Sequence, residues 1–378
     1  MSKIFFILIV IISSIFGDDE YEYDFDMDVL EPKPYEYSGY LRADNKFQHL
    51  QKPKNGYKNY LHLEALLDFK YFYEIFTFNS SFMGSYDYIK DKIREDNFFT
   101  NKLYMEAKLN SNHSILMGKD SLGWGKGYFF NPIAFFDRVK DPSQPTKVRE
   151  GFIISKYSYN KSFDSALKNL SLDIVYLPST QTINEDYYHL VTQDKKANNL
   201  AIRLYLLLCD TDIDIIYNYS DIAEDRIGID FSKNIQTNFE IHGEFSTKNN
   251  HHYNYLLGLR YLTNFELTII SEYLYKSDGL DKKEIQNITS TLPFLAKDYF
   301  ISLITQKEPL GWLYSSIYYK NMTNLQDYSM QNKLGVAYGF KNNIDLDISY
   351  NLNSGDKLSE FGKKSVKDFV WVQVSWSY

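Results

Sequence analysis

Apolar and polar residues alternate along most of the chain with a period of two. In residues 61–73, leucine, alanine and aromatic residues fill the odd positions, and polar or charged residues fill most of the even positions. Successive side chains of a strand point to opposite faces, so this pattern predicts a strand with one apolar and one polar face. It recurs around residues 105, 204, 215, 241 and 347. Counted along the chain, the pattern predicts an antiparallel all-β protein of about 16 to 18 strands, with 18 favoured.

The connections between the predicted strands alternate in length. Short ones include the turns around Tyr71 and at residues 233–235 and 341–343. They alternate with mostly longer ones at residues 46–58, 80–100, 119–150, 178–198, 276–297 and 353–367. In a meander, odd- and even-numbered connections lie at opposite ends of the sheet. Short periplasmic turns at one end and long extracellular loops at the other are the layout of a transmembrane β-barrel of the outer membrane.

Composition separates this barrel from the alternatives. Mean hydropathy is −0.40, which excludes a bundle of transmembrane helices. Aromatic residues make up 17% of the chain and gather near predicted strand ends, as in the interfacial girdles of membrane barrels. A soluble all-β protein is the alternative, but the polar faces carry too many charges for a packed core. Strands cross a bilayer only as a closed barrel, and a barrel of this size encloses an aqueous channel.

Both ends of the chain carry candidate export signals. Residues 1–17 join a lysine to an apolar run too short for a membrane-spanning helix, which predicts a signal peptide; an uncleaved anchor is the alternative. Residues 18–34 are acidic, and we expect a periplasmic lead-in before a barrel of residues 35–378. The last strand alternates apolar residues and ends on Trp376 and Tyr378. It resembles the C-terminal strand of bacterial outer-membrane proteins, which implies recognition by the barrel-assembly machinery.

The polar faces of the predicted strands are mainly acidic. Their carboxylates are Glu64, Asp68, Glu106, Asp173, Asp212, Asp214, Asp230, Glu240, Glu244, Glu266, Glu272, Asp345 and Asp347. The basic residues on these faces are fewer, namely Lys70, Lys108, Arg203 and Arg260. Rings of carboxylates in a pore favour cations, so we predict a lumen wall with that bias. The alternative for each single residue is a wetted strand face with no further role.

Residues 119–150 form the longest stretch without two-residue alternation. Their apolar cluster would be badly placed in open water: Trp124, Tyr128, Phe129, Phe130, Ile133, Phe135 and Phe136. We predict that this connection folds into the lumen and narrows it; the alternative is an ordered external cap. Asn131 and Pro132 predict a short helix over residues 132–138, with Asn131 as its N-cap. The basic residues expected to face the acidic wall are Lys126, Arg138, Lys140, Lys147 and Arg149.

The same stretch carries a sequence motif: Gly118-Lys119, Trp124-Gly125-x-Gly127, Asn131-Pro132, Asp141-Pro142 and Arg149-Glu150-Gly151. It resembles a motif of porin-like outer-membrane barrels, distantly similar to the alginate-export channels. The resemblance implies transport, without a particular solute. Lys119 departs from the more usual arginine. Gly125 and Gly127 allow tight backbone at the wall, and we expect Arg149 to pair with a wall carboxylate.

These features predict a passive channel for small hydrophilic solutes. One rival is a non-conducting surface barrel, an adhesin or a structural protein, that binds through its long loops; another is a barrel enzyme acting on lipid. No nucleophile elbow, phosphate loop or metal-ligand spacing is present, so we expect no catalytic residue, cofactor or metal. The formal charge of −8 argues against a nucleic-acid partner. Expected partners are outer-membrane lipid, the assembly machinery and polar solutes, and the sequence leaves a homo-oligomer open.

Overall fold

A single closed sheet organises the chain. The computed structural model describes residues 33–51, 56–89, 93–249, 251–288 and 294–378. Eighteen antiparallel strands form this sheet, and β1 pairs with β18, so that the sheet closes into a barrel. The predicted fold class is therefore confirmed. The predicted signal peptide and most of the predicted lead-in lie outside the described residues.

The strands follow one another around the barrel in chain order. They are β1 (Tyr35–Leu50), β2 (Gly56–Tyr73), β3 (Phe76–Ile89), β4 (Ile93–Lys108), β5 (His113–Asp120), β6 (Phe152–Ser162), β7 (Leu167–Ser179), β8 (Ala197–Leu208), β9 (Thr211–Ser220), β10 (Arg226–Gln236), β11 (Phe239–Lys248), β12 (His252–Leu262), β13 (Leu267–Lys276), β14 (Asp298–Lys307), β15 (Ser315–Asn324), β16 (Met330–Phe340), β17 (Ile344–Ser354) and β18 (Val366–Ser377). The connections that follow even-numbered strands lie at one end of the barrel, which is called the short-turn rim. Those that follow odd-numbered strands lie at the other end, which is called the long-connection rim.

Short helices occur only in connections within the described part of the chain. They are α1 (Glu185–Leu190), α2 (Lys282–Asn287) and one 3-10 turn (Pro309–Gly311). Helix α2 begins with a capping box, in which the Asp281 side chain accepts the Glu284 N–H and the Glu284 side chain accepts the Asp281 N–H. Among the described helices, none is long and apolar enough to cross a membrane.

Two predicted long connections are wrong. Residues 46–58 and 80–100 instead extend two strand pairs, since β1 continues to Leu50 and β3 continues to Ile89. The register of β3 with β4 shifts between Ser81 and Phe82, where Asn101 is the extra residue. A bulge of this kind breaks the two-residue period, which explains why the sequence pattern fades there.

Two predicted short turns are also displaced. Strand β2 continues past Tyr71, and its turn lies at residues 74–75, where Glu74 takes a positive φ of 50°. Strand β10 continues through residues 233–235 to Gln236. In both cases the hairpin extends beyond the residues that break the sequence pattern, because backbone pairing does not require an apolar face.

The apolar face of the strands points outward. On it, Leu257, Met117 and Ile215 leave 56%, 55% and 42% of their surface exposed. The polar face points inward, where Asp214 and Glu244 are 1% and 3% exposed. The barrel is therefore the inverse of a soluble barrel, which places its apolar face inside.

Candidate functional site

The connection between β5 and β6, residues 121–151, lies inside the barrel and is called the inner loop. One group of its side chains packs on apolar residues of β5 to β9: Trp124, Ile133, Phe135 and Phe136. A second group, Phe129 and Phe130, packs on apolar residues of β12 to β15. Full burial of each such side chain contributes roughly 1.5–3 kcal/mol. The inner loop is thus attached to the wall over two separate sectors.

Glu244 of β11 fixes one bend of the inner loop. Its carboxylate accepts the backbone N–H of Gly127 at 2.6 Å and that of Ile133 at 3.3 Å. The approach is close, since a Cβ on Gly125 would lie 2.8 Å from Glu244 Oε1. Gly125 also has a φ of +104°, which side chains disfavour. The glycines of the Trp-Gly-x-Gly motif therefore let the backbone reach this buried carboxylate.

Glu272 of β13 fixes the next residues of the inner loop. It accepts the backbone N–H of Tyr128 and that of Phe129, the latter at 3.1 Å. The imidazole of His242 lies 3.1 Å from the same carboxylate, and both side chains are fully buried. The Tyr128 hydroxyl donates to Glu240 at 3.0 Å. Hydrogen bonds to charged acceptors are among the stronger ones, so these carboxylates hold the inner loop in one position.

Lys126 of the inner loop forms an ion pair with a predicted wall carboxylate. Its ammonium group lies 3.3 Å from Asp214 of β9. Arg203 of β8 binds the same carboxylate through two nitrogens, at 2.8 and 3.1 Å, and lies 3.3 Å from Asp173. The Arg203 guanidinium also lies 5.8 Å from the ring centre of Trp124.

Ion pairs close the two ends of the inner loop onto each other. Glu150 binds Lys119 of β5 and also Arg138, whose guanidinium is 2.9 Å from its carboxylate. Arg138 forms a further ion pair with Asp186 of α1. The predicted contact of Arg138 with the strand wall is therefore wrong, because nearer carboxylates on the loop and on α1 bind it.

The predicted helix over residues 132–138 is absent, and turns take its place. Asn131 does not cap a helix; its side chain accepts the N–H of Lys140 at 3.0 Å and donates to the Arg138 carbonyl at 3.4 Å. Arg149 binds the same Arg138 carbonyl at 2.7 Å, so its predicted pairing with a wall carboxylate is also wrong. Lys140 donates to the Gly127 carbonyl, and burial lowers the pKa of its ammonium group. Contacts within the loop thus replace helical hydrogen bonds.

A gap remains between the far end of the inner loop and the opposite wall. It is a cavity of about 330 Å³, and residues 143–147 form its loop side. Its charged or aromatic wall residues are Arg42, Tyr318, Lys320, Lys333, Asp347 and Trp371. Lys320 donates to the carbonyls of Pro142 at 3.1 Å and Ser143 at 2.6 Å, which ties this end of the loop to β15.

The gap is basic, which differs from the predicted acidic lumen. Three buried acids, Asp230, Glu244 and Glu272, lie in the strands that the inner loop covers. Two further buried acids, Asp44 and Glu64, lie on β1 and β2 and pair with Arg42. Lys46 and Lys333 place their ammonium groups 4.3 and 4.6 Å from the ring centre of Trp371.

Among the cations of the gap, Lys147 was predicted from the sequence, whereas the wall residues Arg42, Lys320 and Lys333 were not. Arg42 and Lys46 alternate on the inward face of β1, and Lys320 faces Lys333 across β15 and β16. Both arrangements follow the two-residue period, so the sequence carried this signal.

Other predicted wall residues lie on β2, β12 and β17. Glu64 binds Arg42 at 2.7 Å, and Asp68 lies further along β2, opposite Ser38 and Ser81. Arg260 lies opposite Glu240 in the register of β12 with β11.

Two predicted acids lie on β17. Asp347 accepts the Tyr318 hydroxyl at 2.7 Å, and its carboxylate is 3.8 Å from Lys333. Asp345 lines a cavity of about 650 Å³ at the short-turn rim.

The C-terminal residues complete the barrel seam. The backbone of Tyr378 exchanges hydrogen bonds with Gly39 of β1, and its hydroxyl donates to the Leu66 carbonyl at 3.3 Å. The rings of Trp376 and Tyr378 lie 5.4 Å apart. Across the described residues, no group of three or more His, Cys, Asp or Glu side chains is arranged to hold a metal ion.

Several solved structures share the fold of this barrel. OpdQ of Pseudomonas aeruginosa matches 92% of this chain and 99% of its own length, with a TM-score of 0.58 and 10% identity. A BenF-like porin of Pseudomonas fluorescens Pf-5 matches 91% and 98%, with a TM-score of 0.57 and 10% identity. The chain has a porin fold. OccAB3 of Acinetobacter baumannii also aligns with this porin fold over 91% of the chain and 99% of its own length, at a TM-score of 0.56 and 10% identity.

No protein-family model matches the sequence, and no curated protein matches it. The likeness to the solved structures therefore concerns the porin fold alone.

Proposed function

We propose that this porin-fold protein is an outer-membrane channel through which small hydrophilic solutes diffuse passively. The apolar exterior supports a position in a lipid bilayer. The strands of a closed barrel pair their backbone groups with one another, so these groups do not need water. The polar interior supports a wet lumen. The export signal in residues 1–17 and the assembly signal at Trp376 and Tyr378 belong to this proposal, as does the transport role implied by the likeness to alginate-export channels.

The observation that carries the proposal is the gap beside the inner loop. It is lined by the cations of Arg42, Lys147, Lys320 and Lys333, and by one carboxylate, Asp347. Cations outnumber carboxylates in this lining, and a narrow region with an excess of one sign of charge raises the local concentration of ions of the opposite sign. We therefore propose that the channel prefers small anionic solutes over cations, in contrast to the bias expected from the strand sequences.

Single-channel recording in planar bilayers under a KCl gradient tests the proposal. We expect steady conductance and a reversal potential that shows Cl⁻ to be more permeant than K⁺. Lys147→Glu, on the exposed side of the gap, should move the permeability ratio several-fold toward K⁺. Lys168→Glu is the matched control, since Lys168 lies at the short-turn rim and pairs with Asp210. Absence of conductance in folded protein would contradict the proposal and favour the non-conducting surface barrel.

A shortened loop tests the gap itself. Replacement of residues 143–147 by two glycines should raise single-channel conductance, because these residues form one side of the gap. Replacement of the same residues by five alanines keeps the loop length and serves as the control. Equal conductance in all three proteins would show that ions pass elsewhere.

A further inference from the structure

A second cavity lies on the other side of the inner loop, at the long-connection rim. Its volume is about 530 Å³, and loop residues 130–142 form one side of it. The opposite side comes from β10, β12 and β13, through Arg226, Asn254 and Lys276. The gap described above borders the far end of the same loop, and the two cavities share no lining residue.

This second cavity is called the mouth cavity. Two of its polar side chains have groups with no hydrogen-bond partner among the described residues. The Arg226 side chain makes no ion pair and no hydrogen bond within the described residues, and its guanidinium lies 5.8 Å from the centre of the Phe135 ring. The Asn254 side-chain oxygen is buried and accepts no hydrogen bond from the described residues. By contrast, Lys140 and Lys276 donate to the carbonyls of Gly127 and Phe294. The mouth cavity therefore offers the free N–H donors of Arg226 and the free acceptor oxygen of the Asn254 side chain.

The remaining lining is largely apolar, apart from the Asn131 amide and the Asp141 carboxylate, which accepts the Ser143 N–H at 2.8 Å. Phe130, Phe135 and Leu274 form a buried surface, being 6%, 7% and 5% exposed. Val139 leaves 87% of its surface exposed at the edge of the cavity. Apolar cavities of about 300–1,000 Å³ with a few convergent polar groups are the usual form of a small-molecule site. A guanidinium with free donors binds planar oxyanions through paired hydrogen bonds.

We propose that the mouth cavity binds an organic anion that has an apolar body. The oxyanion pairs with Arg226, and the apolar body lies against Phe135, Leu274 and Val139. Lys140 and Lys276 add positive charge nearby. This inference deepens the proposed channel function, because it assigns a binding step to the rim from which the lumen is entered. Binding itself does not require conduction, so the two proposals fail separately.

Calorimetric titration of the full barrel in lipid nanodiscs with phenyl phosphate tests the site. Benzyl alcohol, which has the ring without the charge, and inorganic phosphate, which has the charge without the ring, should each bind at least about tenfold more weakly. Arg226→Gln should weaken phenyl phosphate binding about tenfold or more, because it removes the charge and the paired donors. Val139→Asp, which places a like charge at the edge of the cavity, should weaken it as well.

Lys147→Gln serves as the matched control, because it removes a cation from the gap and leaves the mouth cavity intact. It should change the reversal potential and leave phenyl phosphate affinity unchanged. Heat-modifiable migration on gels verifies that each variant is folded. Equal binding of phenyl phosphate and inorganic phosphate, or unchanged affinity in folded Arg226→Gln, would overturn the assignment. Loss of conductance with retained binding would overturn the channel proposal alone.

Discussion

The carboxylate of Glu244 and the backbone N–H of Gly127 are joined at 2.6 Å across the lumen side of β11. The two residues are far apart in sequence, yet this bond determines where the inner loop turns. Because Glu244 also binds Ile133, a single side chain fixes two points of the loop. The position of the loop, and with it the size of the gap, depends on a small number of buried carboxylates.

Glu244→Gln should release part of the inner loop. The amide of glutamine has one acceptor oxygen, so one of the two N–H groups loses its partner inside the barrel. A buried donor without a partner costs about 1–3 kcal/mol. We expect a lower unfolding midpoint and noisier or larger single-channel currents. Asp345→Asn, at the exposed end of β17, is the control and should leave both unchanged; an equally quiet Glu244→Gln channel would show that the carboxylate does not hold the loop.

Gly258→Ala should disturb the second carboxylate indirectly. A Cβ at this position would overlap the imidazole of His242, which lies against Glu272. His242 is fully buried and has no room to move aside, so we expect a loss of roughly 1–3 kcal/mol from overpacking. Gly84→Ala is the matched control, since the nearest atom to its Cβ would be 3.9 Å away. The comparison of unfolding midpoints in urea checks this; equal midpoints would contradict the packing argument.

Leu257→Arg tests which face of the barrel meets lipid. Leu257 lies outward in the middle of β12. An arginine on the lipid face near the bilayer midplane costs about 2–4 kcal/mol. Gln373→Arg, on the inward face beside the gap, is the matched control and should be tolerated. Reversible unfolding from lipid bilayers measures both; if the outward arginine is no more costly than the inward one, the exterior does not face lipid.

Removal of Tyr378 separates assembly from stability. If the terminal aromatic is read during barrel assembly, its deletion should lower the amount of folded barrel in outer membranes several-fold. Tyr378→Phe keeps the ring and loses only the hydroxyl that donates to Leu66. We expect this variant to assemble normally and to lose at most about 1 kcal/mol of stability. Poor assembly of both variants would assign the effect to the hydrogen bond.

The strand pattern could be predicted because each strand obeys the same local rule. Residues such as Ile215 and Asp214 differ in character because one points outward and the other inward. This two-residue rule fails where the inward face of a strand contacts the inner loop instead of water. Leu256, Leu274 and Ile301 point inward and are buried beside the inner loop, so apolar residues occupy both faces of their strands. Sequence alone does not reveal that a loop covers this part of the wall.

The candidate site was predicted in part. The aromatic content of residues 119–150 indicated burial, and in the structure these side chains are buried inside the barrel. The partners of the basic residues were not predictable, because they depend on distances set by the folded loop. Arg149 binds a backbone carbonyl instead of a carboxylate for this reason. Local contacts formed by turns compete with longer-range ion pairs, and sequence spacing does not rank the two.

The bonds from Lys320 to the carbonyls of Pro142 and Ser143 attach the inner loop to β15, which lies across the barrel from β5 and β6, where the loop begins and ends. The inner loop therefore connects two sides of the barrel through its interior. Any flattening of the barrel cross-section has to stretch or move the inner loop, so the shape of the barrel and the width of the gap change together. In the proposed membrane location, lateral pressure from the lipid would then change the width of the gap without contact to the side chains that line it.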